Sequence, residues 1–569
     1  MPVELRQRPA DRSEDSDGTF FACFDRMVRE APERTAIFHY ESAGRVTTLS
    51  YGRMAATVAR RAATLAQISE AGELVFIIET DVSEQILWWL AGQRAGLVPG
   101  ILTPPTPKLP QEKYAADLAA ILAAHRHAVV VHGGGVFERP PGEGRYYDAG
   151  LLRALEATAA GRRRLEQRGR AASEPFIFQQ SSGTTGLRKG VLLSEAAVTA
   201  QLQAYGRAIA VTPDDVIVSW LPLYHDMGFV ACLLGALYWG LPLVTTSPFV
   251  WLRRPDWLFR AVETHGGSLC WLPNFAFNLM VDRVAPAGFD ADALKSLRLL
   301  VDCSEPVLPS SIEGFEQRFA AIGLGRGVVS SSYAMAENTF ALTQTPPGAP
   351  VVVECVDAER LDRDGIAVPR ARGRRLASSG RVIPGTEVRI MHDGVACDAA
   401  TVGEIEVRGD CLMSGYFGLG AERSAIDGEG WFRTGDTGYL RDGDLFVIGR
   451  EKDIIIRAGR NIDPTRLEAA AGAIPGVKPG RAVAFAVSNA AEGTEDIIMI
   501  VESEEAAEKT AVLRIRAALI EAWHLEIGMA PQAVRVVPVG WLVKSSSGKI
   551  SRELCRARYR EEIDGEELR

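Results

Sequence analysis

The segment Ser181-Ser182-Gly183-Thr184-Thr185-Gly186-Leu187-Arg188-Lys189-Gly190 gathers hydroxyls, flexible backbone amides and two cations in one loop, directly after the apolar run Phe176 to Gln180. Those groups suit a polyphosphate, whose charge needs many convergent donors. The loop is not a Walker A sequence, since no G-x-x-x-x-G-K-[ST] string occurs in the chain. Taken alone it is as well explained as a plain surface turn. Four further polar signatures follow it: Tyr333-Ala334-Met335-Ala336-Glu337, Thr434-Gly435-Asp436, Gly449-Arg450-Glu451-Lys452-Asp453 and Ser547-Gly548-Lys549.

The elements that must position these residues read as alternating strands and helices. Short apolar runs at Phe176 to Gln180, Val216 to Trp220, Leu269 to Leu272, Leu297 to Val301 and Val328 to Ser330 each end in an unusual polar sequence, with helical patterns between them. That alternation predicts parallel sheets covered by helices, with ligands gathered beyond the carboxyl ends of the strands. One shared cleft would explain all five endings. Past about residue 385 the texture turns to shorter β runs with Gly and Asp turns (Glu387 to Ile390, Glu404 to Val407, Leu445 to Ile448), which predicts a β subdomain over 385–450. After Arg450 a compact α+β unit begins: a helix near Thr465 to Ala473, strands Ala482 to Val487 and Ile497 to Val501, a helix across Thr510 to Trp523, and a strand Ala533 to Val537. The predicted fold is therefore α/β, with a large N-terminal domain over 1–450 and a small C-terminal domain over 452–569. The apolar run Phe229 to Val244 is broken by Gly235, Gly240 and Pro242 and reads as a buried helix rather than a membrane span. The Arg-rich stretch Arg370 to Arg375 reads as a solvated loop.

The order and approximate spacing of the five signatures resemble the acyl-adenylate-forming superfamily, which holds acyl-CoA synthetases, luciferases and nonribosomal adenylation domains. The resemblance runs from about Thr19 to about Arg560. It implies a ligase that activates a carboxylic acid with ATP and Mg²⁺ to an acyl-adenylate, releasing pyrophosphate. The acyl group then passes to a phosphopantetheine thiol, of CoA or of an acyl carrier protein. Joining a carboxylate to the α-phosphate brings two anions together, so positive charge and in-line placement are required. The resemblance assigns Lys549 to the carboxylate and α-phosphate oxygens, and Glu337 with Thr184 to Mg²⁺. It assigns Ser181, Ser182, Gly183, Thr184, Thr185, Gly186 and Lys189 to the phosphates. Tyr333 would stack on adenine, flanked by Ala334, Met335 and the backbone of Ser304, Glu305 and Pro306. Asp436 and Arg450 would bind the ribose hydroxyls. Lys452 matches the position where this superfamily swivels a mobile C-terminal domain between its two half-reactions.

The wording leans toward the fatty acyl-AMP ligases: Leu221-Pro222-Leu223-Tyr224-His225-Asp226-Met227-Gly228, Pro273-Asn274-Phe275-Ala276-Phe277 and Ser304-Glu305-Pro306 all look like that branch. In it, His225, taken as catalytic, lies near the acyl entrance, and Gly228, Asn274, Phe275, Phe277 and Ser332 would line the acyl pocket. A histidine satisfied in the core and core phenylalanines are the plainer readings. The stretch Val351 to Ser379 is longer than the usual connection, and in the resembling branch an insertion here hampers the movement CoA chemistry needs. Five positions depart from the family pattern: Gln180, Arg188, the pair Cys303-Ser304, and Ala334. They point to reshaped phosphate and adenine subsites and to a specialised acid of secondary metabolism.

Composition narrows the alternatives. A formal net charge of -9 favours neither nucleic acid nor an anionic membrane surface. The eight scattered cysteines lack any CxxC pair, and the polar N-terminus carries no signal-type apolar stretch, so a reduced cytoplasmic protein is expected. The esterase-like string His132-Gly133-Gly134-Gly135 has no G-x-S-x-G partner in the chain, which removes a serine hydrolase. The competing class is a catalytically impaired homologue acting as a binding module. Its mark would be loss of Lys549, Glu337 or Asp436, and all three are present.

Overall fold

The structure, a computed structural model, describes residues 5–6, 18–41, 44–105, 111–125, 127–137, 140–155, 165, 174–180, 190–417, 425–457, 460–489, 494–527, 529–544 and 550–567. The phosphate-loop candidates Ser181 to Lys189, and Lys549 with Ser547 and Gly548, lie outside the described residues.

Two parallel-type sheets form the large domain, as the alternation of runs predicts. One has the strand order 329–331, 299–302, 269–272, 217–219, 243–246, 35–40, 46–50, parallel except for its last pair. The other is all parallel, in the order 98–101, 74–78, 129–132, 145–148. Strands such as Leu74–Ile78 and Leu269–Leu272 are buried at every position, because helices cover both faces and leave no side for water. Short polar caps start those helices: Ser50, Asp81 and Ser194 each accept a backbone N–H from three residues on, at 3.3, 3.1 and 3.1 Å.

Two sequence expectations are corrected here. The strand Pro175–Gln180 belongs to neither parallel sheet; it pairs antiparallel with Gly190–Ser194, which pairs antiparallel with Gly415–Tyr416 on its other side. A run of apolar residues fixes the strand but not the direction of its partner. The run from Phe229 is a π-helix over Met227–Leu234 continued by Gly235–Trp239; the helix ends at Gly240, whose φ of 71° is left-handed, and Leu243–Thr246 is already a central strand.

The β subdomain is an antiparallel sheet of 386–392, 403–409, 432–441 and 444–450 with shorter strands at its edges. Against it lies the segment 351–379, which is folded: the strands Val353–Val356 and Arg374–Ala377 form a hairpin around the helix Ala358–Asp364. Its Val356, Leu361, Ala367 and Leu376 share a core with Tyr439 and Phe446, whose rings stack at 4.9 Å. Beyond residue 454 a separate apolar cluster forms from Ile455, Leu467, Ile497, Met499, Ile515, Leu519 and Trp523. The helices Pro464–Gly472 and Lys509–Ile527 and the strands Ala482–Asn489, Thr494–Ser503 and Ala533–Pro538 match the expected α+β unit within a few residues.

Arg374 is not solvated as expected. Its side chain is only 9% exposed, and its guanidinium lies 2.8 Å from Asp463 and 3.7 Å from Asp362. Arg460 and Arg466 reach the same Asp362 at 3.2 and 3.1 Å. Three guanidiniums and two carboxylates thus join the folded segment to the C-terminal unit. Seven of the eight cysteines are buried; Cys355, on the first strand of that segment, is half-buried, and none forms a disulfide. No helix of the described residues is long and apolar enough to cross a membrane.

Candidate active site

The carboxyl ends of the central strands converge on one region. The strand Val329–Ser331 runs into Ser332 and Tyr333, Leu299–Asp302 into Cys303 to Pro306, Leu269–Leu272 into Asn274, and Ile217–Ser219 into the Leu221 to Asp226 loop. Facing them is the hairpin of 432–441 and 444–450, where Asp436 and Arg450 are direct cross-strand partners.

Tyr333 links the two sides. Its hydroxyl donates to Asp436 Oδ2 at 2.6 Å, while Arg450 Nε lies 3.2 Å from Asp436 Oδ1. One carboxylate therefore spans a phenol and a guanidinium across 103 positions of sequence. Burial pushes the Tyr333 hydroxyl well above the ordinary phenol range, and the negative charge of Asp436 adds to it, so Tyr333 stays a neutral donor. The backbone N–H of Tyr333 donates to Thr343 Oγ1 at 3.1 Å, which fixes the residue from behind.

Glu337 lies in the single turn Ala336–Asn338, which Thr339 closes with a φ of 62°. Its Oε1 accepts the Tyr416 hydroxyl at 2.8 Å, and burial pushes its carboxyl up. Tyr416 was not singled out from the sequence: it lies 79 positions away, on the strand that pairs with Gly190–Ser194. Among the described residues no three His, Cys, Asp or Glu side chains cluster as a metal cage. One half-buried carboxylate is what a Mg²⁺ held largely by substrate phosphates and water requires, so Glu337 fits that ion.

Around the opposite wall, His225 Nδ1 lies 2.6 Å from Asp226 Oδ1, and both side chains face the backbone N–H of Met227, the first residue of the π-helix. π-Helical turns often mark functional sites. Gly228 is held by close approach: a Cβ there would meet the Pro222 carbonyl oxygen at 2.5 Å. The Cys303 thiol packs on the Met227 sulfur, and Ser304 adopts a φ of 69°. A serine thus holds the left-handed conformation that favours glycine, at a cost typical of strained site residues. Glu305 accepts the Phe275 N–H at 3.0 Å, and Asn274 Oδ1 accepts that of Leu308 at 3.3 Å. Phe275 is exposed beside the stacked pair Trp220 and Trp251, whereas Phe277 is wholly buried on Phe315. Ser332 donates to the Thr343 carbonyl, Ala334 bridges to Ala341, and the Met335 N–H donates to the Phe340 carbonyl at 2.8 Å. Lys452 is exposed in the turn Glu451–Asp453. A second residue not singled out is Asp302. Both of its carboxyl oxygens are buried without a partner among the described residues, and burial pushes the group well up from the usual carboxylate range.

The AMP-binding enzyme family matches this chain over residues 24–417. The chain belongs to the AMP-binding enzyme family. A putative acyl-CoA synthetase of Caulobacter vibrioides is 30% identical over 538 residues, 90% of this chain and 91% of that one. The long-chain-fatty-acid–AMP ligase FadD28 of Mycobacterium tuberculosis is 32% identical over 413 residues, 68% of this chain and 70% of that one. A solved structure from work on fatty acyl-adenylate ligases of E. coli and L. pneumophila superposes with a TM-score of 0.87 at 26% identity, covering 97% of this chain and 99% of the other. This AMP-binding enzyme is a ligase by family, and its α/β fold is that of the adenylating enzymes.

If Asp436 binds the sugar in this family member, Asp436→Asn should raise the KM for ATP about tenfold or more, the scale of a lost charge-assisted hydrogen bond. An ATP titration of initial rates reads this directly. An unchanged KM would release Asp436 from the nucleotide.

Proposed function

We propose that this AMP-binding enzyme joins a carboxylic acid to AMP with ATP and Mg²⁺, releases pyrophosphate, and passes the acyl group to a phosphopantetheine thiol. The observation that carries the reading is the Tyr333–Asp436–Arg450 group facing Glu337. A flat neutral phenol, a sugar-binding carboxylate with its guanidinium, and a metal-type carboxylate open onto one region at the strand ends. Mg²⁺, when bound, would neutralise phosphate oxygens there, with Glu337 and Thr184 as its protein ligands. Lys549 meets the carboxylate and α-phosphate, the Ser181 to Lys189 loop holds the outer phosphates, and Ser304 to Pro306 back the adenine.

The test is acid-dependent pyrophosphate release over a panel of fatty, aryl and polycyclic acids with ATP and Mg²⁺, followed by addition of CoA or of a carrier protein. Release with at least one acid is the expected result. No release with any acid turns the protein into the impaired binding homologue.

The named relatives divide between AMP ligases and CoA synthetases. The ion cluster at Asp362 favours the first kind, with a carrier protein as acceptor, because it fastens the C-terminal unit to the 351–379 segment through buried charges. Breaking one partner of such a cluster typically costs about 3–5 kcal/mol.

Tyr416→Phe removes only the hydroxyl that orients Glu337. It should raise the Mg²⁺ concentration for half-maximal rate roughly tenfold, the usual scale for a partner of a metal ligand, and weaken Mn²⁺ binding to the ATP-loaded protein measured by electron paramagnetic resonance. Unchanged metal dependence would separate Tyr416 from the ion.

A further inference from the structure

In the C-terminal unit a half-buried ion trio stands between the two lysines to which the proposed function gives a role. Arg552 opens the helix Arg552–Glu567, three residues past Lys549. Its guanidinium grips Glu468 with two prongs, Nε to Oε1 at 3.0 Å and Nη2 to Oε2 at 2.7 Å. Its remaining Nη1 donates to Asp453 Oδ2 at 2.9 Å, across 99 positions of sequence. Asp453 is the residue after Lys452, in the turn Glu451–Asp453. Glu468 is itself fixed, since its Oε1 also accepts the Ala484 N–H at 2.9 Å.

The segment that carries Lys549 is fastened at both ends. Upstream, buried Glu502 accepts the N–H groups of Gly540 and Leu542 at 2.9 and 2.8 Å. Lys544 bridges to Ile550, and the Ser551 N–H donates to the Val543 carbonyl at 2.9 Å. Downstream the Ser551 hydroxyl accepts the Leu554 N–H at 3.4 Å, and the first charged side chain with a directional hold among the described residues is Arg552. A planar guanidinium with two parallel bonds fixes orientation as well as distance, which a lysine could not do.

We propose that Arg552 is a positioning residue for the adenylation half-reaction: by clamping Asp453 and Glu468 it sets the span between the pivot at Lys452 and Lys549. The inference rests on the adenylation reading of those two lysines. Rotation at the pivot carries the unit as one body, so the place where Lys549 arrives is decided by how rigidly it is joined to the residue next to the pivot. A displacement of about 1 Å at a reacting centre can cost about 10²-fold in rate. The half-reaction that does not use Lys549 should be indifferent to the clamp.

Asp453→Ala cuts the link to the pivot and leaves the Arg552–Glu468 pair whole. With dodecanoic acid, or the panel acid that the wild type turns over fastest, kcat for pyrophosphate release should fall about tenfold while KM for ATP and for the acid change little. Transfer of the acyl group from the supplied acyl-adenylate to pantetheine should stay within about twofold of wild type, with the melting temperature unmoved. Arg552→Lys, which keeps the charge and loses the fork, should show a smaller loss in the same step. Wild-type pyrophosphate release by Asp453→Ala, or equal losses in both half-reactions, overturns the proposal while Lys549→Ala remains inactive. If the wild type releases no pyrophosphate with any acid, or Lys549→Ala matches it, the adenylation reading itself fails and takes this inference with it.

Discussion

Replacement of Lys549 by alanine is expected to lower acid-dependent pyrophosphate release by about 10²-fold or more, the scale for removing one charge-stabilising group from a water-excluded site. As the carboxylate closes on the α-phosphate, negative charge accumulates between two groups that repel. The described residues on that side of the proposed site include carboxylates at Glu337 and Asp436, and the one guanidinium, Arg450, is already engaged by Asp436. A mobile ammonium would supply the missing charge at the reacting oxygens. Transfer from a supplied acyl-adenylate should survive in the variant, because that step no longer needs the ammonium. Pyrophosphate release like that of the wild type would remove the assignment of Lys549.

Asp362→Ala is expected to raise acyl transfer to CoA about tenfold at nearly unchanged adenylation, if the 351–379 segment restrains the swivel. The sign follows from the charges left behind. Asp362 takes Arg374, Arg460 and Arg466 at once, so its loss removes the carboxylate that the three guanidiniums share and leaves Asp463 beside Arg374. Mutual repulsion then adds to the lost attraction, and the scale for opening such a buried cluster is a few kcal/mol. Deleting the segment is the poorer experiment, because it would strip the cover from Tyr439 and Phe446 and unsettle the β subdomain. Rates of CoA and carrier-protein acylation, measured side by side in Asp362→Ala, decide the matter: an unchanged CoA rate with intact folding ends the restraint reading.

Much of the positioning framework was legible because it is local. A strand followed at once by Ser332 and Tyr333, or by Cys303 to Pro306, announces its polar ending in consecutive residues, and the structure brings those endings together. The α+β unit beyond Arg450 likewise follows from runs of apolar residues long enough to bury. What could not be read were contacts between distant stretches. Nothing near Tyr416 shows that its hydroxyl meets Glu337, and Arg374 looks like any residue of a basic loop until Asp362 and Asp463 surround it. The direction in which Pro175–Gln180 pairs was hidden for the same reason, since an apolar strand serves either kind of sheet. At Ser304 the sequence departs from the family's small pair, and the left-handed backbone there, with its φ of 69°, could not be read from a serine.

The burial of seven cysteines makes the eighth a spectroscopic handle. A maleimide fluorophore offered to the native protein should find Cys355 first, because burial withholds the other thiols from bulk reagent and keeps several of them protonated. That strand runs antiparallel to the one bearing Arg374, with Cys355 opposite Arg375. A dye there sits beside the ionic seam, where its emission would respond in real time if the C-terminal unit lifts away during turnover, in a chain that needs no engineered label site.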